Sequence, residues 1–225
     1  YVADPRYMKT RVEDMLSEAY ADERRKLISD KAILPTCGKP FSGGTVYLCS
    51  ADGEGNMVSF IQSNFRGFGS GIVIPGTGIA LNDRGNNFSL DPSMDNCLAP
   101  GKKPYHTIIP GFLTKGGEAV GPFGVMGGFM QPQGHLQMIL NTIDFHMNPQ
   151  AALDAPRWQW IQGKEVEIEA QTDPQIIKEL EARGHQVIVK TDRTGFGRGQ
   201  IIWRNKEGVL AGATEPRTDG TVAAY

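Results

Sequence analysis

No apolar run in these 225 residues approaches the roughly 20 that a membrane-spanning helix needs, which excludes a helical membrane span within them. The opening stretch, YVADPRYMKTRVEDM, has neither an initiator Met nor the basic-then-apolar pattern of a secretory signal. That is the expectation for an internal piece of a longer chain. Charge of one sign is also missing. With 23 Lys and Arg against 25 Asp and Glu, the net charge is −2, so there is no electrostatic ground for nucleic acid or an anionic membrane as partner. Cysteine is sparse: Cys37, Cys49 and Cys97 are an odd number at irregular spacing. No CxxC or HxxxH occurs, so neither a disulfide framework nor a zinc pattern is present, and no metal or cofactor is expected. Reduced thiols suit a reducing, cytoplasmic setting better than a secreted one. A phosphate-binding GxxxxGK[ST] is absent too, and GFGSG at 67–71 runs into a strand rather than a helix.

What the sequence has in excess is glycine, 28 residues, clustered in loops between apolar runs. Residues 9–33 carry Val12, Met15, Leu16, Ala19 and Tyr20 at helical spacing and predict a helix. ILPTCGKPFSGG follows, an extended, accessible loop with two prolines and three glycines. There the period changes to two. TVYLCSAD and NMVSFIQSNF predict two strands joined at Gly53-Glu54-Gly55, the first apolar enough to be covered on both faces. HTIIPGFLTK and GPFGVMGG predict another hairpin, turning at Gly116-Gly117. From Gln133 the pattern is helical and includes His135 and His146, which the spacing reads as satisfied polar partners rather than ligands. A short helix from Pro149 to Asp154, strands at APRWQW and EVEIEA, and a helix capped by Asp173, Pro174 and Gly184 come next. QVIVK, GQIIWRN and VLAGATEPR end the chain as strands, Arg217 tying the last segment down. Hairpins interrupted by helices predict an α+β layered fold with antiparallel sheets, not a doubly wound one.

One junction bears chemistry. Thr45 stands where the glycine-rich loop meets a strand, directly after Gly44. A hydroxyl there can attack the Gly44 carbonyl, and glycine removes the side chain that would hinder an N-to-O acyl shift. Cleavage would leave Thr45 with a free α-amine, whose pKa near 8 lets it act as general base for its own Oγ. The same local pattern also describes an ordinary strand-initiating Thr, and GVMGGFM a strand ending in a turn.

The ordered landmarks YVADPRYM, TVYLCSADGEGNMVSFIQSNFRGFGSGIVIPGTGIALND, KKPYHTIIPGFL, GPFGVMGG, LQMILNTIDFHMNPQAALDAPRWQW and TEPRTDGTVAAY resemble the C-terminal part of γ-glutamyltranspeptidases over nearly the whole chain. The resemblance implies an N-terminal-nucleophile hydrolase αββα sandwich. Residues 1–44 would end the large subunit and carry the pre-cleavage loop, and 45–225 would form the small, catalytic subunit. The implied reaction is acyl transfer through a Thr45 ester after cleavage between Gly44 and Thr45. Ser63 falls where the family has a Thr or Ser bonded to the nucleophile's hydroxyl, and Gly127 and Gly128 fall on its oxyanion pair. The implied partners are the large subunit of the same precursor and a small-molecule amide.

The acyl pocket departs from that pattern. Phe65, Arg84 and Asn87 stand where typical members hold the glutamyl α-amine with Asn, Gln or Glu, and Asp. His106 and Thr107 replace two serines that hold the α-carboxylate. Arg84 would repel an ammonium by about 1 kcal/mol or more. The expectation is therefore divided: a γ-glutamyl hydrolase or transpeptidase, a glutaryl- or cephalosporin-type acylase for amides without the α-amine, or an unprocessed, non-catalytic member. Asn86 or Asp83 are further candidates for the work of the missing Asp. Cys97 has no second cysteine in the loop from Leu90 to Lys103, so no disulfide ties a lid over the pocket.

Overall fold

The computed structural model describes residues 2–34 and 44–225; Cys37 and most of the ILPTCGKPFSGG loop lie outside them. Where one long helix is expected there are two short ones, α1 (Val12–Met15) and α2 (Glu18–Arg25). Ser17 divides them. Its backbone is extended, and its hydroxyl accepts the Tyr20 N–H as the N-cap of α2.

β1 (Gly44–Ala51) and β2 (Met57–Phe65) form the expected antiparallel hairpin. A two-stranded ribbon, β3 (Val73–Ile74) with β4 (Ile79–Ala80), follows. β5 (Gly111–Lys115) and β6 (Glu118–Met126) make the next hairpin. The expected strand start at His106 is not realised: Ile108 N–H donates to His106 Nδ1, a local turn, and β5 begins only after Pro110. α3 (Gln131–Ile143) packs behind β6, and α4 (Pro149–Asp154) lies against α3. His146 lies beyond the end of α3 with φ +53° rather than on the helix.

β7 (Trp158–Gln162), β8 (Glu165–Glu169), α5 (Pro174–Ala182) and β9 (Gln186–Lys190) build a three-stranded sheet. Its β8–β9 pair is parallel, against the all-antiparallel expectation, because α5 carries the chain back to start β9 beside β8. β10 (Arg198–Arg204) and β11 (Leu210–Thr214) complete a four-stranded sheet in the order β11-β10-β6-β5.

Alternation along β6 shows which layer lies where. A Cβ on Gly124 would meet the Tyr47 ring of β1 at 2.5 Å, and one on Gly134 of α3 would meet Val125 Cγ1 at 2.7 Å. Neighbouring residues of a strand face opposite sides, so the hairpin β1–β2 covers one face of the large sheet and α3 the other. Phe123, Val125, Met138, Leu153, Ile201, Trp203 and Ala213 form the core on the helix side. The result is an α+β stack of helices, sheet and hairpin. The outer face of β1 is open, not covered as its composition suggests: Val46 is 57% and Leu48 47% exposed.

Candidate active site

The junction residue sits at an irregular step. Gly44 pairs with Phe65 and Val46 with Gln62, so Thr45 faces the two residues Ser63 and Asn64 across a β-bulge. Thr45 is buried on the same side of β1 as Tyr47. Its hydroxyl donates to Ser63 Oγ at 3.0 Å, and Ser63 Oγ also accepts the Phe65 N–H at 2.8 Å. The bulge brings that N–H round, and it leaves Phe65 at φ +78°, an uncommon conformation for a non-glycine residue.

Phe65 links this junction to Arg84. Its ring is buried, and the Arg84 guanidinium lies over it, 5.3 Å from the centroid. A surface role for Arg84 is excluded, since the residue is only 4% exposed. Its Nη1 donates to the buried Thr107 hydroxyl at 3.1 Å, and among the described residues its buried Nη2 has no partner. Burial pushes the guanidinium below its usual pKa. His106 is held below its ordinary pKa by burial and then by the Arg84 charge, so Arg84 is the fixed cation of the pair. Arg84, His106, Asn82 and Tyr105 share the lining of one cavity of about 380 Å³. Asn87 is engaged elsewhere, its amide donating to Tyr105 O at 3.1 Å. Asp83 accepts the Arg66 N–H through its carboxylate.

Gly127 and Gly128 follow β6. Both have positive φ, +144° and +60°, and a Cβ on Gly127 would lie 3.0 Å from Gly197 Cα. The structure thus joins Thr45, Ser63, Phe65, Arg84 and Thr107 in one continuous run of contacts, with His106 beside them. Gly127 and Gly128 lie just beyond the end of β6, the strand that packs against β1.

The Gamma-glutamyltranspeptidase family model matches residues 1–225. The chain belongs to the γ-glutamyltranspeptidase family. A cephalosporin acylase structure from Bacillus halodurans superposes with a TM-score of 0.94 at 62% identity, covering 100% of this chain and 41% of that one. The glutathione hydrolase-like YwrD proenzyme of Bacillus subtilis is 36% identical over 97% of this chain and 43% of its own length. The oxamate amidohydrolase proenzyme of Klebsiella pneumoniae is 36% identical over 100% of this chain and 44% of its own. The chain therefore spans less than half the length of the curated relatives it matches.

Within this γ-glutamyltranspeptidase framework lies a buried ionic cluster that the sequence pattern does not announce. Arg217 bonds Glu169 and Glu215, as well as the carbonyls of Leu153 and Ala155. Arg157 bonds Glu215 at 2.7 Å and the carbonyls of Phe196 and Gly197 at 3.0 Å. Gly197 is the residue against which Gly127 packs, so the cluster reaches the turn at the end of β6. Arg217 is legible in the sequence as a tie for the C-terminal segment. Arg157, Glu169 and Glu215 are not, because they are far apart in sequence and sit in otherwise ordinary strand or turn patterns.

Proposed function

We propose that this chain carries the catalytic machinery of an amidase of the γ-glutamyltranspeptidase type, acting through a Thr45 acyl-enzyme. The observation that carries the proposal is the Thr45–Ser63 hydrogen bond at a bulge directly after Gly44. In maturation, Thr45 Oγ attacks the Gly44 carbonyl, the Gly44–Thr45 amide becomes an ester, and water hydrolyses it. The products are a carboxylate on Gly44 and a free amine on Thr45. The residues before and after the cut remain partners as large and small subunits.

In turnover the new amine takes the proton from Oγ as Oγ attacks the substrate amide carbonyl. The N–H groups of Gly127 and Gly128 meet the oxyanion that forms. Ser63 holds the nucleophile's hydroxyl in one rotamer. The leaving amine departs with the proton, and water or an amine acceptor then takes the acyl group from Thr45. No step calls on a metal or cofactor.

A second observation bears on the acyl group. The typical family pocket receives an α-ammonium, whereas this one offers the buried Arg84 cation, its Nη2 without a partner among the described residues. An acyl group with an acid end and no α-amine fits that chemistry better than γ-glutamyl. Glutaryl amides are the direct test. The full-length precursor is assayed on γ-glutamyl-anilide and glutaryl-anilide, with a Thr45→Ala variant alongside. The reading expects activity that Thr45→Ala abolishes and a preference for the glutaryl compound. Full activity in Thr45→Ala overturns the mechanism, and a strong γ-glutamyl preference overturns the role given to Arg84.

A further inference from the structure

Strand β6 outruns its neighbour on one edge. β5 begins at Gly111, opposite Phe123, so beyond that pair β6 keeps β10 on one side and loses its strand partner on the other. Among the described residues the Val125 N–H therefore has no strand carbonyl to bind on that edge. Its acceptor is a side chain: Val125 N donates to His135 Nε2 at 3.0 Å. The bond joins residues ten apart, and the segment it closes contains Gly127 and Gly128. Close approach is possible because residue 134 is glycine; a Cβ there would stand 2.7 Å from Val125 Cγ1. The imidazole is fixed further by the Phe123 ring, tilted against it at 5.1 Å between centroids.

Burial pushes His135 down to about 4, so the ring is neutral at pH 7. With Nε2 accepting, its proton sits on Nδ1. A neutral imidazole here completes the hydrogen bonding that a longer β5 would otherwise supply.

We infer that His135 is a positioning residue, which through Val125 fixes where β6 ends and so where the N–H groups of Gly127 and Gly128 point. The inference rests on the reading of those glycines as oxyanion donors. It gives α3 a part in catalysis without contact with the substrate. Donors displaced by a fraction of an ångström stabilise the ground-state carbonyl nearly as well but the oxyanion poorly. The loss should therefore fall on kcat.

The test uses the full-length precursor with His135→Phe, His135→Gln and Thr45→Ala. kcat and KM on an anilide amide are measured after normalising to folded protein by thermal unfolding. Phe keeps the ring volume and removes the acceptor; Gln restores an acceptor oxygen. His135→Phe should lower kcat about 10- to 100-fold while KM changes less than about threefold, and His135→Gln should recover most of kcat. A kcat in His135→Phe within about twofold of the parent overturns the inference, as does an equal loss in both His135 variants. Unchanged kcat in His135→Phe with an inactive Thr45→Ala removes this inference alone. Full activity in Thr45→Ala removes the reading beneath it.

Discussion

The Thr45 hydroxyl donates to Ser63 Oγ at 3.0 Å, and the same oxygen accepts the Phe65 N–H at 2.8 Å. Two donors converge on one acceptor, which fixes the Ser63 rotamer and, through it, that of Thr45. Ser63→Ala should therefore leave Thr45 in place but free to rotate. Turnover and self-cleavage should both slow, by about 10- to 100-fold, with little change in KM. Ser63→Thr keeps the hydroxyl and should stay within about threefold of the parent. Cleavage half-times read on a denaturing gel, together with steady-state kinetics, check both expectations.

Arg84 makes a separate prediction about selectivity. Its guanidinium is buried over Phe65, bonded to Thr107 through Nη1. Arg84→Met keeps much of the side-chain volume and removes the charge. Hydrolysis of glutaryl-anilide should fall about 10- to 100-fold in kcat/KM, while hydrolysis of γ-glutamyl-anilide should hold or rise as the like-charge repulsion is lifted. Equal losses on both substrates would indicate damaged packing rather than lost recognition.

Much of this site is legible in the sequence, and the reasons differ by residue. Thr45 and Gly44 mark an abrupt change from glycine-rich loop to period-two strand, a local signal. The paired glycines stand at the end of a strand pattern, also local. Arg84 is ambiguous in sequence: a charge in NDRGNN looks like a solvated loop residue, and only the packing of Phe65 and Thr107, 19 and 23 positions away, buries it. The length of the first helix is overstated by apolar spacing that continues through Ser17, whose capping bond ends the pattern. His135 gives only a weak signal, a polar residue on an amphipathic helix. Its importance depends on β5 stopping short, which the HTIIPGFL pattern hides.

The ionic cluster sets a stability prediction. Arg217 is fully buried between Glu169 and Glu215, and Arg157 shares Glu215. Without Arg217, Glu215 keeps Arg157 and Glu169 keeps the part-exposed Arg193, but the two buried carboxylates lose the cation they share. Arg217→Met should cost about 3–5 kcal/mol in urea unfolding. Exposed pairs such as Lys206–Glu207 should contribute about 1 kcal/mol or less when broken. A small effect at Arg217 would show that the cluster relaxes or admits water.

Acid should weaken the fold through histidine. His135 is held at about 4 by burial, below its ordinary 6.5, so the folded state favours the neutral ring. Its contribution is fully present above about pH 6.5 and is lost as pH falls toward about 4. His106, lowered by burial and by Arg84, acts in the same direction. Asp4 does not compete in this window, because its bonds to Arg6 and the Lys103 N–H keep it ionised well below pH 4. Melting temperature should therefore drop between pH 7.5 and pH 5, and the drop should shrink in His135→Gln. An unchanged drop in that variant would assign the acid sensitivity elsewhere.

On the mechanism proposed above, Thr45 becomes an N-terminal residue and acts as the nucleophile. The most direct measurement is the intact mass and N-terminal sequence of the purified full-length precursor, before and after Thr45→Ala. Two chains are expected in the parent, the shorter beginning Thr-Val-Tyr-Leu, and a single uncut chain in the variant. A precursor that stays whole yet hydrolyses the amide, or a Thr45→Ala protein that is still cut after Gly44, would contradict that mechanism.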